Sequence, residues 1–207
     1  MSTPARRQLK CAKGTGHTDS VNCLAVHPTL NIVASGSEDG SLCVWDVRTQ
    51  RLAQRLLPAD LQSAQAEPIA ALTISSAVEW QLWAAAGARA LCLDLRRLGG
   101  GGGEGAASGE AGGAPALLHA TTVGSEEINC LALDAAGLHL AAANDEGEVR
   151  LLELQADSSL RRPKPLKVLR RGHDNVGACC AFRPGTRWEL LSGGFDSRIV
   201  HWGERRC

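Results

Sequence analysis

Residues 16–48 read GHTDSVNCLAVHPTLNIVASGSEDGSLCVWDVR, and residues 172–202 read GHDNVGACCAFRPGTRWELLSGGFDSRIVHW. Both stretches start with Gly-His, pass a Ser and an Asp-containing turn, and reach a Trp. In both, the Asp follows the Ser by four positions and the Trp follows the Asp by six. A unit that recurs along a chain in this way indicates a repeat architecture.

Two weaker copies of the unit lie between the two stretches, at residues 67–96 and 126–154. The first predicted strand of each copy starts at steps of 48, 59 and 48 residues, at Val21, Ile69, Ile128 and Val176. The position of the Trp recurs at steps of 48, 59 and 50 residues, at Trp45, Leu93, Leu152 and Trp202. The long step contains residues 99–113, where nine of fifteen residues are Gly, a composition typical of a flexible linker.

Within each copy the sequence predicts short strands joined by tight turns. Residues 21–26, VNCLAV, alternate in size and polarity, and Glu38-Asp39-Gly40 is a turn sequence between two apolar runs. A fourth strand, such as Pro165–Leu169, leads into the next Gly-His. Four strands per repeat at this spacing predict an all-β protein made of β-propeller blades.

The repeats divide the chain into six expected segments. These are an outer, closing strand and tail at 1–15, blade 1 at 16–66, blade 2 at 67–98, a Gly-rich linker and strand at 99–124, blade 3 at 125–171, and an incomplete blade 4 at 172–207.

Two sets of four residues resemble the internal hydrogen-bond tetrad of the WD-repeat family. They are His17, Ser35, Asp39 and Trp45, and His173, Ser192, Asp196 and Trp202. The resemblance implies that the Trp indole donates to Ser, Ser to His, and His to the turn Asp. Because the set recurs with a Trp at blade spacing, a structural role is favoured over a Ser-His-Asp hydrolase triad. Blades 2 and 3 lack the set and are expected to depend on apolar packing alone.

The resemblance also implies a propeller of about seven blades, of which four are present. We therefore expect an open arc, as in a truncated product, an incomplete gene model or a short isoform. The segment Gln8–Ala12 stands where the outer strand of the last blade of a closed propeller would lie.

Composition narrows the function classes. The chain of 207 residues has 22 basic and 22 acidic residues, so it lacks the basic excess typical of a nucleic-acid binder. Its longest apolar stretch, residues 69–93, is interrupted by charged residues, and its N-terminus has no apolar signal region. A cytoplasmic or nuclear protein without a membrane span is expected. The eight cysteines form no Cys-x-x-Cys pair, so core thiols are predicted and neither a metal nor another cofactor is.

The main functional candidate is Trp45-Asp46-Val47-Arg48, with a weaker copy at Leu93-Asp94-Leu95-Arg96. Trp-Asp-x-Arg resembles the motif by which some WD proteins dock to the damage-specific DNA-binding adaptor of cullin-4 ubiquitin ligases. The docking candidates are therefore Asp46, Arg48, Asp94 and Arg96. The alternative is that these arginines are ordinary solvated residues at a blade edge.

A basic cluster, comprising Arg161, Arg162, Lys164 and Lys167, is a second candidate. It could serve nuclear import or phosphate binding. An exposed loop and outer strand between blades is the favoured interpretation, because the balanced net charge gives no wider support for nucleic acid.

Together these features predict a non-catalytic scaffold whose partners are proteins, more narrowly a substrate receptor or adaptor of a cullin-4-type ligase. Two alternatives stay open: a nuclear or nucleolar scaffold that contacts RNA through the basic cluster, and an incomplete propeller with little activity alone. No enzyme and no small-molecule substrate is predicted, because the candidate catalytic groups are explained by the repeat.

Overall fold

The computed structural model describes Leu9 and residues 16–61, 66–78, 80–98, 117–154, 163–185 and 189–203. Over these residues the fold is all-β, with fifteen strands in four antiparallel sheets and two short 3₁₀ helices, Pro58–Leu61 and Leu95–Leu98. Neither helix in this part of the chain is long and apolar enough to cross a bilayer. The all-β repeat fold predicted from the sequence is confirmed.

Each sheet is a meander of consecutive strands. Sheet 1 contains β1 (Val21–Val26), β2 (Ile32–Ser37), β3 (Leu42–Asp46) and β4 (Arg51–Leu56). Sheet 2 contains β5 (Ile69–Ile74), β6 (Gln81–Ala86), β7 (Arg89–Asp94) and β8 (Leu117–Thr122). Sheet 3 contains β9 (Ile128–Leu133), β10 (His139–Asn144), β11 (Val149–Leu154) and β12 (Pro163–Leu169). Sheet 4 contains β13 (Gly177–Phe182), β14 (Leu190–Gly194) and β15 (Ile199–Trp202).

Some expected segments fall outside the described residues. Only Leu9 of the expected closing strand is described, and the Gly-rich tract at 99–113 and residues 204–207 are not. The strand expected after the Gly-rich tract is β8.

The sheets pack face to face in chain order. The first strands of neighbouring sheets are in contact, β1 with β5, β5 with β9 and β9 with β13. The second strand of each of sheets 1 to 3 also contacts the first strand of the next sheet. Since contact between sheets is concentrated at the first strands, the sheets converge there and spread apart toward their outer strands, as blades do.

Three apolar layers fill the spaces between successive sheets. Side chains on a strand alternate between its two faces, so a strand with a sheet on either side is buried throughout. This is why all six residues of β6 are buried. The layers include Leu42, Ile69 and Leu82 between sheets 1 and 2, Trp83, Ile128 and Leu140 between sheets 2 and 3, and Leu151, Cys180 and Leu190 between sheets 3 and 4.

The first strand of every sheet carries a register shift after its first residue. In sheets 1 and 3 the extra residue is an asparagine that bonds to an acidic residue in the turn after the second strand. Asn22 Nδ2 donates to Glu38 Oε2 and Asn129 Nδ2 donates to Asp145 Oδ1, both over 2.8 Å. The bulge places each of these asparagine side chains beside that turn.

The faces of sheets 1 and 4 that point away from the other sheets are uncovered within the described residues. Leu24 and Val26 of β1 are 64% and 70% exposed. Ile199 of β15 and the neighbouring Phe195 are 82% and 70% exposed. The four sheets therefore form an arc with an apolar face at either end.

Candidate functional site

A hydrogen-bonded network connects β14, β15 and the segment before β13 in sheet 4. The indole N–H of Trp202 donates to Ser192 Oγ over 2.7 Å, and this oxygen lies 2.8 Å from Nε2 of His173. Nδ1 of His173 lies 3.0 Å from Oδ1 of Asp196. Because a carboxylate can only accept, Nδ1 carries the ring proton and Nε2 accepts from the serine hydroxyl. The four side chains form one continuous network.

Sheet 1 has the same network with one residue added. The indole of Trp45 donates to Ser35 Oγ over 2.8 Å, and Ser35 Oγ lies 2.6 Å from Nε2 of His17. Nδ1 of His17 donates to the hydroxyl of Ser41 over 2.7 Å, and Ser41 donates to Oδ1 of Asp39 over 2.6 Å. The expected direct bond from His17 to Asp39 is thus replaced by a serine bridge. Ser41 was not among the predicted network residues, because sheet 4 has Arg198 at its place.

The turn aspartates of both networks are held in their charged form. Burial alone would raise the pKa of Asp39, but hydrogen bonds from Ser41 and Thr18 outweigh it and hold this pKa well below its ordinary value. Burial opposes ionisation of Asp196 too, yet hydrogen bonds led by His173 lower its pKa to about 2. Burial lowers the pKa of His17, so the neutral imidazole needed by the network is the favoured form.

The burial of the two serines indicates what these networks can do chemically. Ser35 and Ser192 are each 2% exposed, and each hydroxyl already accepts the indole N–H of a tryptophan. A nucleophile must be reached by its substrate, which this burial prevents. The arrangement satisfies buried polar groups and ties strands together, and this favours a structural role.

Sheets 2 and 3 use ion pairs as well as apolar packing. Nη2 of Arg89 lies 2.9 Å from Oε2 of Glu67 in sheet 2. In sheet 3, Arg150 donates to the carbonyl of Val123 over 3.0 Å and pairs with Glu148 over 2.9 Å. The expectation that these two sheets depend on apolar packing alone is therefore wrong. These pairs were not predicted from the sequence, although Arg198 and Asp174 of sheet 4 form a pair equivalent to Arg89 and Glu67 over 2.7 Å.

The four docking candidates form two copies of one arrangement, which pairs Asp46 with Arg48 and Asp94 with Arg96. Oδ1 of Asp46 accepts the backbone N–H of Arg48 over 2.8 Å at the end of β3. Oδ1 of Asp94 accepts the backbone N–H of Arg96 over 2.9 Å at the end of β7. The same side-chain-to-backbone turn thus ends the third strand of two neighbouring sheets.

The two arginines differ in how far they are engaged. Arg96 holds Asp94 with two parallel bonds, from Nε over 3.0 Å and from Nη2 over 2.8 Å, and Asp94 is 3% exposed. These bonds raise the pKa of Arg96. Nη2 of Arg48 lies 3.9 Å from Asp46, and the Arg48 side chain is 74% exposed. The guanidinium of Arg48 therefore presents its donors to solvent, while Arg96 is held in place.

The basic cluster is only partly within the described residues, since Arg161 and Arg162 lie outside them. Lys164 and Lys167 are exposed on β12, the outermost strand of sheet 3. The strand also contains Pro163 and Pro165. Lysine and proline are residues that prevent outer strands from pairing with other chains, so β12 has the composition of a protected edge.

Six cysteines are described, and all carry free thiols: Cys23, Cys43, Cys92, Cys130, Cys179 and Cys180. Cys43, Cys92 and Cys180 are buried, and Cys179 is exposed. Within the ranges that the structure describes, no group of three or more His, Cys, Asp or Glu residues could hold a metal ion.

Comparison with known proteins shows which repeat family the chain resembles. The model of the WD domain, G-beta repeat, matches residues 9–46 and 163–203. The chain is 26% identical over 192 residues to the WD repeat-containing protein 53 homolog of Dictyostelium discoideum, a match that covers 90% of this chain and 44% of that protein. The chain thus spans less than half the length of this relative.

Shorter matches cover about one repeat. Human ribosome biogenesis protein BOP1 is 53% identical over 36 residues, which are 17% of this chain and 5% of that protein. Human THO complex subunit 6 is 44% identical over 41 residues, 20% of this chain and 12% of that protein. WD repeats imply a protein-interaction scaffold. Residues 9–46 and 163–203 match WD repeats of the G-beta type, and the four consecutive sheets form an arc of β-propeller blades.

Proposed function

We propose that this scaffold is a substrate receptor or adaptor of a cullin-4-type ubiquitin ligase, and that it binds the damage-specific DNA-binding adaptor of that ligase through Asp46, Arg48, Asp94 and Arg96. The observation that carries the proposal is the repetition of one Asp-x-Arg turn at the same strand end in sheets 1 and 2. The resemblance of residues 45–48 to the docking motif supports it.

The arrangement is confined to two of the four sheets. At the place of the aspartate, sheet 3 has Glu153 and sheet 4 has Gly203. The two turns end the third strands of neighbouring sheets, which are in contact through β1 and β5. A partner that spans both turns would meet two arginines at equivalent positions, and this favours a specific surface over scattered solvated charges.

The chemistry of the two arginines defines the partner surface. A guanidinium recognises carboxylate and carbonyl oxygens through several directed, charge-assisted bonds. Arg48 has these donors available, and Arg96 is positioned by Asp94. We therefore expect Arg48 to contribute more to affinity, against an acceptor-rich surface of the adaptor.

The test is capture of purified adaptor by the immobilised chain, with the Arg48→Ala, Arg96→Ala and double variants beside the wild type. Arg183→Ala in sheet 4 is the matched control, because Arg183 is 65% exposed and pairs with Glu189 over 2.8 Å. The wild type and the control should retain the adaptor, and the double variant should lose it while its far-UV circular dichroism spectrum still matches that of the wild type. Equal capture by the double variant, or no capture by the wild type, would contradict the proposal.

A second experiment, RNA binding, tests the main alternative, which is a scaffold that contacts RNA. If the chain is instead an RNA-contacting scaffold, a labelled RNA should bind with an affinity that falls steeply with salt and depends on Lys164 and Lys167. RNA binding of this kind, without capture of the adaptor, would contradict the proposed function and support the RNA-contacting scaffold.

A further inference from the structure

Cys130 and Cys180 approach each other across the boundary between sheets 3 and 4. Cys130 is on β9 and Cys180 is on β13, the first strands of the two sheets. The backbone N–H of Cys180 donates to Sγ of Cys130 over 3.3 Å, and this sulfur lies 3.7 Å from the carbonyl oxygen of Cys180. The sulfur of Cys180 lies 3.9 Å from the carbonyl oxygen of Ala141 on β10, so both cysteines lie in the apolar layer between sheets 3 and 4. The sulfur of Cys130 is therefore in contact with the backbone of Cys180.

We propose that Cys130 and Cys180 form an oxidation site, at which a hydroperoxide converts the two thiols to a disulfide between blades 3 and 4. The site is built from two sulfurs of different sheets, fifty residues apart in the chain. Free cysteines that are already in contact need little backbone movement to form a disulfide.

The two thiols differ in burial and in pKa, and these differences indicate which thiol attacks the oxidant and which one resolves the product. Cys130 is half-buried, so a small oxidant can reach it, whereas Cys180 is 8% exposed within the apolar layer. Hydrogen bonds from the thiol and the backbone N–H of Cys180 lower the pKa of Cys130, which favours its thiolate. The pKa of Cys180 is raised by its bond to Cys130 and by burial. Cys130 is therefore the attacking thiol and Cys180 the resolving one.

The reaction balances in two steps. The Cys130 thiolate attacks one oxygen of hydrogen peroxide, the O–O bond breaks, and the sulfur becomes a sulfenic acid as hydroxide leaves and takes the thiol proton to form water. The Cys180 sulfur then attacks the Cys130 sulfur, the S–O bond breaks, and the Cys180 proton leaves with the hydroxyl as a second water. The two thiols lose two electrons, and one peroxide is reduced to two waters.

The chain provides an internal control in Cys23. It is the third residue of β1, as Cys130 is of β9, and it lies in the same Asn-Cys-Leu-Ala sequence. The fourth residue of the following first strand is Leu72 in sheet 2 and Cys180 in sheet 4, so Cys23 lacks the opposed thiol. Cys23 Sγ instead donates to the carbonyl of Ile69 over 3.4 Å, and burial raises its pKa to about 11.

The test treats the reduced wild-type chain with hydrogen peroxide and follows its intact mass. We expect a loss of about 2 Da that dithiothreitol reverses. Peptide mapping after alkylation should find a cross-link between the peptides of Cys130 and Cys180. Cys23→Ser should behave as the wild type, and Cys130→Ser should give no cross-link. Cys180→Ser should stop at a sulfenic acid on Cys130 that dimedone traps.

The wild-type mapping decides the outcome even if a variant fails to fold. A cross-link through Cys179, whose thiol points to the opposite face of β13, would overturn the proposal. So would peroxide addition at Cys23 as fast as at Cys130, or a reduced pair that persists while other thiols oxidise.

Discussion

Nδ1 of His17 lies 3.8 Å from the nearest carboxylate oxygen of Asp39, and the hydroxyl of Ser41 bridges the two. In sheet 4 the corresponding atoms of His173 and Asp196 are 3.0 Å apart and bond directly. The histidine and the aspartate of the network are therefore linked in two ways, directly in sheet 4 and through the hydroxyl of Ser41 in sheet 1. Ser41 has no exposed surface, so its loss cannot be compensated easily by water.

Replacing Ser41 with alanine should destabilise the fold. The Ser41→Ala variant leaves Nδ1 of His17 without its acceptor and removes one donor from Asp39, a loss that we expect to cost about 1–3 kcal/mol. Urea unfolding followed by tryptophan fluorescence measures it. Ser20→Ala, at an exposed serine, is the control and should change stability little. An unchanged free energy of unfolding for Ser41→Ala would show that the bridge is not required.

Acid should weaken the fold through the two turn aspartates. Their pKa values are depressed in the folded state, so as pH falls below about 4 the unfolded chain takes up protons first. The stabilisation is present above this pH and is lost as pH falls through the folded values, which for Asp196 is about 2. The lowered pKa of His17 acts in the same direction, beginning near pH 6.5.

The measurement is the free energy of unfolding between pH 7 and pH 3 for the wild type and for Asp39→Asn. The variant should be less stable at pH 7 and should lose less stability on acidification. A variant with the same pH slope as the wild type would mean that the Asp39 carboxylate does not contribute to the acid response.

Replacing Ser197 with glycine should stabilise sheet 4. Ser197 has a φ of +64°, and Gly40 and Gly147 hold the same turn position in sheets 1 and 3 with φ of +73° and +75°. A non-glycine residue in this conformation costs roughly 1–2 kcal/mol, so Ser197→Gly should raise the free energy of unfolding by up to that amount. The reciprocal Gly147→Ser should lower it, because a Cβ there meets the carbonyl of Asn175. A destabilised Ser197→Gly variant would contradict the turn geometry.

Replacing Gly36 with alanine should disturb the boundary between sheets 1 and 2. A Cβ at Gly36 would overlap the side chain of Ile69 and lie 2.7 Å from Sγ of Cys23. We expect a cost of about 1–3 kcal/mol from this overpacking. Gly193→Ala is the matched control, because Gly193 follows Ser192 as Gly36 follows Ser35, and its Cβ would meet only Sγ of Cys179. Equal costs at the two glycines would indicate that the packing of neighbouring sheets is not the cause.

The sequence predicted the repeat and the strands well, because spacing is preserved from copy to copy. The shared spacing of His173, Ser192, Asp196 and Trp202 with the set in sheet 1 predicted which side chains would meet. Ser41 could not be predicted in this way, since it belongs to one copy only. Its bridge depends on a difference of less than 1 Å between two distances, 3.8 Å from Nδ1 of His17 to Asp39 and 3.0 Å from Nδ1 of His173 to Asp196.

Contacts between different sheets were the other part that the sequence did not reveal. The meeting of Cys130 with Cys180 depends on how β9 and β13 are aligned across a sheet boundary. A repeat pattern specifies pairing within a sheet, but it does not specify that alignment. The ion pair of Arg89 with Glu67 was also not predicted, although Arg198 and Asp174 form the equivalent pair in sheet 4 over 2.7 Å.

The most direct test of the proposed function is the dissociation constant between the purified chain and the damage-specific DNA-binding adaptor, measured by calorimetric titration for the wild type and for Arg48→Ala, Arg96→Ala and the double variant. Loss of an interface arginine typically costs about 2 kcal/mol or more, roughly a thirtyfold weakening. The account predicts at least this loss for Arg48→Ala, a smaller loss for Arg96→Ala, no measurable binding for the double variant and an unchanged constant for Arg183→Ala. A double variant that binds as tightly as the wild type, or a wild type that does not bind, would contradict it.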